Sequence, residues 1–335
     1  NAFIRILQVY VEFMGYLVYD VRRNQVVCME KNMNQILYNE LLKIMSEEQV
    51  KTEEPMKNHT TFRVGGPAEF FVMPRSAEEV KKVIDLCRRE SFPYYIIGNG
   101  SNLLVSDQGY RGVVLQIYKE MSYIEIEENV VVAQAGALLS AIANKALENG
   151  LTGFEFAAGI PGTLGGACVM NAGAYGGEMK DVLEEVTVLT EEGEVLIIPK
   201  ENLELGYRTS IIARKGYIVL EARIQLREGE KEAIKSLMEE LKDKRVSKQP
   251  LEYPSAGSTF KRPEGYFAGK LIQDAGLRGF SVGGAQVSEK HCGFVINREN
   301  ATAADVAELM RQVSARVEEE FGVKLEPEVK RLGEF

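Results

Sequence analysis

Long apolar runs, excess positive charge, paired cysteines and histidines are all scarce in this 335-residue chain. Its two histidines, His59 and His291, stand far apart, and Cys28, Cys87, Cys168 and Cys292 form no C-x-x-C pair. That spacing argues against a structural zinc site, and four scattered thiols suit a reducing compartment better than a disulfide framework. No metal is expected. A net charge of -9 argues against a nucleic-acid surface, which needs clustered Lys and Arg. A local site for an anionic ligand is still allowed. The most apolar stretch, AFIRILQVYVEFMGYLVYDV, is broken by Arg5, Glu12 and Asp20. It also lacks the basic start and small-residue cleavage site of a signal peptide, so no membrane association is expected.

What is present describes an ordinary globular chain, 45% hydrophobic and 27% charged, long enough for two or three cores. Residues 1–32 fit the rest poorly and read as an N-terminal extension of uncertain role, dispensable for function, or as an extra strand pair packed on the body. From Met33, MNQILYNELLKIMSEEQV has the spacing of an amphipathic helix within a segment 33–54. Ser76-Ala-Glu-Glu79 is a capping box opening a helix through about Arg89. PYYIIGNGSNLLVSD reads as strand, glycine turn, strand; NVVVAQAGA as a strand; LLSAIANKALENG as a helix ending at Gly150. Residues 153–177 are glycine-rich and read as irregular. EVTVLT, EVLIIP and YIVLEARIQL are strand-like, EKEAIKSLMEELKDKR is helical, and HCGFVIN is a strand. Thr302 caps a last helix through Phe321, with Asp305 at its third position and Gly322 as terminator, before an extended tail. The mixture gives an α+β architecture. Boundaries near 119 and 227 divide it into 55–118, joined by a returning C-terminal strand 323–335, then 119–227 and 228–322.

Two glycine loops carry the first chemical signal. GNGSN at 98–102 follows an apolar strand, and glycines there let backbone N–H groups approach an anion. The continuation Leu103-Leu104-Val105 is strand-like and the third glycine of a G-x-G-x-x-G loop is missing, so this is not a Rossmann turn; no Walker A sequence occurs either. AAGIPGTLGGACVMNAGAYGG at 157–177 is too glycine-rich for ordinary packing and too apolar for a disordered linker. Two such loops can clasp one dinucleotide, or simply pack two domains tightly. A third stretch, PSAGSTFKRP, presents Ser258 on a small turn with no histidine nearby. Read from residues alone, Ser258 is a reactive group or a turn serine, Arg208 a surface arginine at a strand end, and Glu328 a solvated charge.

TTFRVGGPAEFFV, IIGNGSNLLVSD, AGIPGTLGGACVMNAGAYGGEM, GYRTS, SAGSTFKRP and LEPEV occur in this order. Together, over roughly residues 55–333, they resemble the UDP-N-acetylenolpyruvoylglucosamine reductases, in the shorter subtype without an extra tyrosine loop. The resemblance implies an FAD-binding fold of the vanillyl-alcohol-oxidase (PCMH) type in two subdomains, with a third α+β domain for the substrate. It implies that NADPH reduces FAD and departs, and that UDP-N-acetylglucosamine enolpyruvate is then reduced to UDP-N-acetylmuramate for peptidoglycan precursors. For the cofactor it singles out Gly98, Asn99, Gly100, Ser101 and Asn102 along the pyrophosphate. Ile160, Pro161, Gly162, Gly165, Gly166, Asn171 and Gly173 follow along the ribityl and isoalloxazine portions. At position 99, varied side chains are expected to be tolerable because backbone donors do the binding.

Reducing the alkene of an enol ether leaves carbanion character beside a carboxylate, which needs charge stabilisation and a proton. The resemblance gives the proton to Ser258, which as an acid needs no histidine base; Lys261 stands by for the alkoxide. It sets Arg208 near the substrate carboxylate and Glu328 at the intermediate. Glu326, two residues away, is expected to share a strand face with Glu328. For the substrate diphosphate, Arg245 and Lys248 are favoured, on and just after the 230–245 helix; a cationic helix C-terminus facing its dipole explains them equally. Arg262 stands where some relatives have asparagine. The expected partners are a UDP-sugar and NADPH, with no nucleic acid, no membrane and no obligatory protein partner, in the cytoplasm. Two rivals are an alcohol or sugar oxidase or dehydrogenase on the same FAD fold, which would need His or Tyr as base, and a non-catalytic nucleotide-sugar sensor.

Overall fold

In the computed structural model of the chain, the described residues are 17–20, 25–28 and 30–335. The chain divides into two units, Asn1–Val50 and Lys51–Phe335. In the first, strands Leu17–Asp20 and Gln25–Cys28 pair antiparallel, and a helix spans Glu30–Ile44. The helix starts three residues before the expected Met33, since no Gly or Pro interrupts 30–33. The expected extension over 1–32 otherwise lies largely outside the described residues.

Three sheets of three or more strands organise the chain from Val50 onward. In the first, Val50–Pro55, Pro67–Val72, Tyr110–Gln116 and Tyr94–Ile97 lie in that order, the last three parallel. The helix Ala77–Arg89 makes the crossover, started as expected by Ser76, whose hydroxyl accepts from Glu79 N–H. Its Val80, Val83, Ile84 and Cys87 are buried at helical spacing, the pattern that makes this segment helix rather than strand. The second sheet is antiparallel in the order Val195–Pro199, Leu183–Leu189, Ile218–Gln225, Val130–Gln134, Ile124–Glu127. The third pairs Ser281–Val282, Ala285–Val287 and Val295–Asn297. It shares one core with the helix Ala303–Phe321, in which Val306, Leu309, Met310, Val313 and Val317 are buried. Only Val295–Asn297 of HCGFVIN is strand; His291 to Phe294 form a turn closed by Phe294 N–H on the His291 carbonyl. No helix among the described residues is long and apolar enough to cross a membrane.

The tail crosses between these layers. Val323 and Leu325 pack with the third sheet's core, Glu328 N–H donates to the Thr259 carbonyl, and Lys330–Leu332 pairs parallel with Leu103–Val105. The returning strand is therefore shorter than the expected 323–335.

The glycine-rich stretch is more regular than its composition suggests. Leu164–Met170 is a helix, and Gly173–Ala174 pairs with Gly177–Glu178 as a small hairpin. Two glycines in seven residues give this helix poor intrinsic propensity. Burial of Leu164, Ala167 and Cys168 on one face supplies the compensation. Asn171 ends it in the left-handed region at φ 44°. That conformation is tolerable for Asn because its side chain is fully engaged. Nδ2 donates to Glu178 Oε2 and to the Gly206 carbonyl at 2.9 and 3.0 Å, and Oδ1 accepts from Lys180 N–H at 2.9 Å.

The last helix carries a double cap. Thr302 and Asp305 form the expected capping box, and Asp107, from the loop after Leu103–Val105, accepts from Ala303 N–H at 2.8 Å and Ala304 N–H at 2.9 Å. An anionic acceptor for two otherwise unsatisfied helix donors is the favourable end of the macrodipole. Asp107→Ala should therefore cost about 1–2 kcal/mol in urea unfolding, without affecting the cavities described below.

Candidate active site

Three cavities run into one another along shared walls. The first, about 190 Å³, lies between the two glycine loops and is lined by Gly98 to Asn102, Ile160, Gly162 and Gly166. The second, about 200 Å³, shares Ser101, Asn102 and Ile160 with it and adds Gly173, Tyr175, Arg245, Arg208, Ser258 and Glu328. The third, about 390 Å³, begins at Arg208, Ser258 and Glu328 and continues past Arg262, Phe267, Lys270, Lys290 and His291. The residues singled out for catalysis thus sit where the loop cleft opens into the larger third cavity.

Close approach explains the loop glycines. A Cβ on Gly98 would stand 2.1 Å from Thr163 Oγ1, and one on Gly100, at φ +61°, 2.0 Å from the His59 carbonyl oxygen. The loops are also tied by Asn99, whose Nδ2 donates to the Pro161 carbonyl at 2.8 Å. This side chain therefore bridges the two loops, a task beside the backbone donation expected at position 99. Gly165 packs on Ala135, and Asn171 spends its side chain on the loop itself, so these two shape the cleft rather than line it.

Arg208 and Glu328 form the centre. Nε of Arg208 donates to Glu328 Oε1 at 2.7 Å, with Glu328 buried to 8% exposure. Arg208 reaches it from a tight turn, bridged between Gly206 and Thr209, with φ at +54°. A left-handed arginine costs about 1 kcal/mol or more, a strain held by the surrounding turn. Burial pushes the Glu328 carboxyl above its ordinary range; the Arg208 charge and hydrogen bond, then Lys261 and Lys330, pull the other way. Asn102 Nδ2 donates to the Glu328 carbonyl at 3.2 Å, and Lys330 N–H to the Asn102 carbonyl, so the first glycine loop also positions this residue.

Ser258 follows Gly257, at φ +76°, and is exposed where the second and third cavities meet. The next residue anchors it: Thr259 Oγ1 accepts from Val295 N–H at 2.9 Å, and the Thr259 carbonyl takes Glu328 N–H. Serine and glutamate therefore ride on two hydrogen-bonded backbone segments. Glu326 does not share this setting: it is exposed and paired with Lys261 Nζ at 2.9 Å. The 325–329 segment makes one isolated bridge, Phe260 to Pro327, instead of a strand with a common face. Lys261 is accordingly engaged with Glu326 and lies outside the linings of the three cavities, as does Lys248.

Arg245 does reach the site, but on the cofactor-loop side. It lines the second cavity and a neighbouring depression of about 670 Å³ beside Asn99 and Pro161, and a Cβ on Gly159 would stand 3.2 Å from its Cδ. Burial lowers its pKa from the usual arginine value. The cations facing the third cavity are others: Arg262, stacked 3.9 Å above the Phe267 ring, Lys270 and Lys290. The sequence named Arg262 without a role; Lys270 and Lys290 escaped it because they meet only through the fold. Tyr207 adds an inter-segment link, its hydroxyl accepting from Arg262 N–H at 3.0 Å.

Neither histidine is set up as a base. His59 Nε2 lies 2.7 Å from Glu54, its ring against Phe71, beside the separate depression. His291 faces the third cavity, but its Nδ1 accepts from Gly293 N–H at 3.0 Å and burial lowers its pKa. Among the described residues no cluster of His, Cys, Asp and Glu could hold a metal ion. Burial pushes the Cys87 and Cys168 thiols up to about 12, far from a reactive thiolate.

A family model for an FAD-binding domain matches residues 68–198. The cleft fits that cofactor. Gly162 and Gly166 face it with open space, where a Cβ would meet nothing closer than 3.7 Å, while the strand-to-loop turn at 98–102 supplies backbone donors for a pyrophosphate. Gly166→Val should fill the cradle: FAD affinity, read by fluorescence quenching, is expected to fall at least about tenfold, while the apo protein melts no lower because the helix gains propensity.

A second family model, for the UDP-N-acetylenolpyruvoylglucosamine reductase C-terminal domain, matches residues 249–332. The reductase of that name from Agathobacter rectalis is 55% identical, over 90% of this chain and 100% of its own length. Its counterpart from Clostridioides difficile is 54% identical, over 90% and 99%. The crystal structure of the Thermus caldophilus enzyme superposes with a TM-score of 0.73 at 39% identity, covering 83% of this chain and 97% of that one. With both halves matched and the ion pair, serine and glycine loops in one continuous cleft, the chain belongs to the UDP-N-acetylenolpyruvoylglucosamine reductase family.

Proposed function

We propose that Arg208, Ser258 and Glu328 carry out the central step of this flavin-dependent reductase. The chain uses FAD and NADPH to convert UDP-N-acetylglucosamine enolpyruvate to UDP-N-acetylmuramate in peptidoglycan precursor synthesis. The observation that supports the residue roles is the 2.7 Å Arg208–Glu328 pair beside Ser258, at the mouth of the loop cleft. When bound there, FAD supplies the reducing equivalents taken from NADPH. The remaining work belongs to side chains of the protein.

Arg208 presents its other guanidinium donors to the enolpyruvyl carboxylate and to the negative charge that grows beside it. Ser258 donates its proton to the carbon that carries that charge. It is suited to this because the acceptor is strongly basic, so a hydroxyl acid suffices and no histidine is required. Glu328 holds Arg208 in its strained orientation and keeps the donor side of the cleft polar. The diphosphate of the substrate is met by Arg262, Lys270 and Lys290, which line the third cavity, Lys270 and Lys290 turning to it from their present partners Asp274 and the Val246 carbonyl. Arg245, with its buried stem beside the loops, serves the cofactor end. The segments 55–118 with the tail, 119–227 and 228–322 act as two cofactor subdomains and a substrate domain. Nucleotide-charged small molecules as reactants suit a cytoplasmic setting.

Anaerobic stopped-flow at flavin wavelengths separates the roles. Ser258→Ala should bleach with NADPH at the wild-type rate and then reoxidise with the enolpyruvyl substrate about 10²–10⁴-fold more slowly; normal turnover would remove the serine from the mechanism. Glu328→Gln should show the same split, whereas Glu326→Gln, at an exposed site, should leave both half-reactions near wild type.

The raised pKa of Glu328 also has a pH signature. A carboxyl that is harder to ionise when folded contributes stability fully present below its unfolded pKa near 4.5 and lost as pH rises through the folded value. In apo protein, urea midpoints should therefore show a downward slope just above pH 4.5 that is absent from Glu328→Gln.

A further inference from the structure

Arg208 stands on a turn whose own bonds are weak. The two backbone bonds between Gly206 and Thr209 are 3.1 and 3.3 Å long, and Tyr207 at the tip is 51% exposed. Arg208 itself is at φ +54°, a conformation that a turn left to itself would give up. The ion pair with Glu328 and the Tyr207 hydroxyl on Arg262 N–H grip side chains, not the backbone that aims them. Ile211 N–H on the Leu203 carbonyl closes the base of the loop without reaching its tip.

Two buried side chains fasten the tip, and both lead to the end of the helix Leu164–Met170. Asn171, 1% exposed, donates through Nδ2 to the Gly206 carbonyl at 3.0 Å. Ser210, with no exposure, donates to the Val169 carbonyl at 2.6 Å while its oxygen accepts from Ala213 N–H. The turn is thus held two residues before Arg208 and two residues after it. The same helix end faces the cofactor cleft: Gly166, Val169 and Met170 line the first cavity, and Met170 and Ala172 the second. Asn171 lines none of the three cavities. Its other bonds, to Glu178 Oε2 and from Lys180 N–H, bring the small hairpin to the same point. The Glu178 carboxyl is held below its ordinary range by the Lys180 hydrogen bond, with the Asn171 bond and the nearby Arg208 charge adding to it.

We infer, on the role proposed for Arg208, that Asn171 is a positioning residue for it. The Asn171 amide ties the helix that lines the flavin cleft to the turn that aims the guanidinium at the substrate carboxylate. A hydrogen bond to a carbonyl is directional, so this one orients the Gly206 peptide and with it the entry into Tyr207 and Arg208. Without the amide, the Gly206 carbonyl keeps the 3.3 Å bond from Thr209 N–H and the turn is free to relax. A misplacement of about 1 Å in a group that meets developing charge costs on the order of 10²-fold in rate.

Stopped-flow on the FAD-loaded full chain, with NADPH first and the enolpyruvyl substrate second, tests this. Asn171→Gly suits the left-handed cap at φ +44°, so the helix still ends there. It should bind FAD and bleach as wild type does, yet reoxidise about 10–100-fold more slowly at saturating substrate. Asn171→Asp keeps the acceptor for Lys180 N–H, removes only the donor, and should show the same split. A cycle with Arg208→Ala separates positioning from general support. Because Asn171 acts through Arg208, adding Asn171→Gly to Arg208→Ala should slow reoxidation by less than about twofold further. Wild-type reoxidation in both Asn171 variants, a full additional loss in the double variant, or loss of flavin binding in both would overturn the inference and leave the role of Arg208 standing. Wild-type reoxidation in Arg208→Ala would instead overturn the proposed role of Arg208, and this inference with it.

Discussion

The ion pair between Arg208 and Glu328 is the contact on which the site depends. It joins a tight turn in one part of the chain to a tail segment 120 residues later. Both charges lie largely out of water, so each is tolerable only while the other is in place; removing one partner would leave a buried charge unmatched. The neighbouring bonds follow from the need to hold that pair: Asn102 on the Glu328 carbonyl, Thr259 on its amide, and the bridged turn that keeps Arg208 at positive φ.

Such a pair poises the group it contains. Desolvation favours the neutral acid and the guanidinium favours the carboxylate, so Glu328 sits between opposed effects instead of at one extreme.

Much of this was legible in the sequence because it rests on local rules. The Ser76 and Thr302 caps and the glycine stop at 322 are short-range patterns, and the structure reproduces them. The motif residues Arg208, Ser258 and Glu328 were legible only through resemblance, since each alone reads as surface. What escaped notice shares one physical cause. The helix Leu164–Met170 has two glycines and forms because its other face is buried, so its local propensity misleads. Lys270 and Lys290 belong to separate segments, and no spacing rule announces that they will face one chamber with Arg262. Glu326 and Glu328 alternate in sequence as if on a strand, but the backbone makes a single bridge there and turns them to different environments.

The parallel pairing of Lys330–Leu332 with Leu103–Val105 has a consequence for biogenesis. Both glycine loops, the Arg208 turn and the Ser258 segment leave the ribosome before the tail that carries Glu328. The cofactor cleft can therefore assemble on a nascent chain while its acidic partner is still untranslated. Docking of the tail strand beside the first loop is then the event that brings Glu328 against Arg208, so the ion pair at the mouth of the cleft is the last part of the site to be completed.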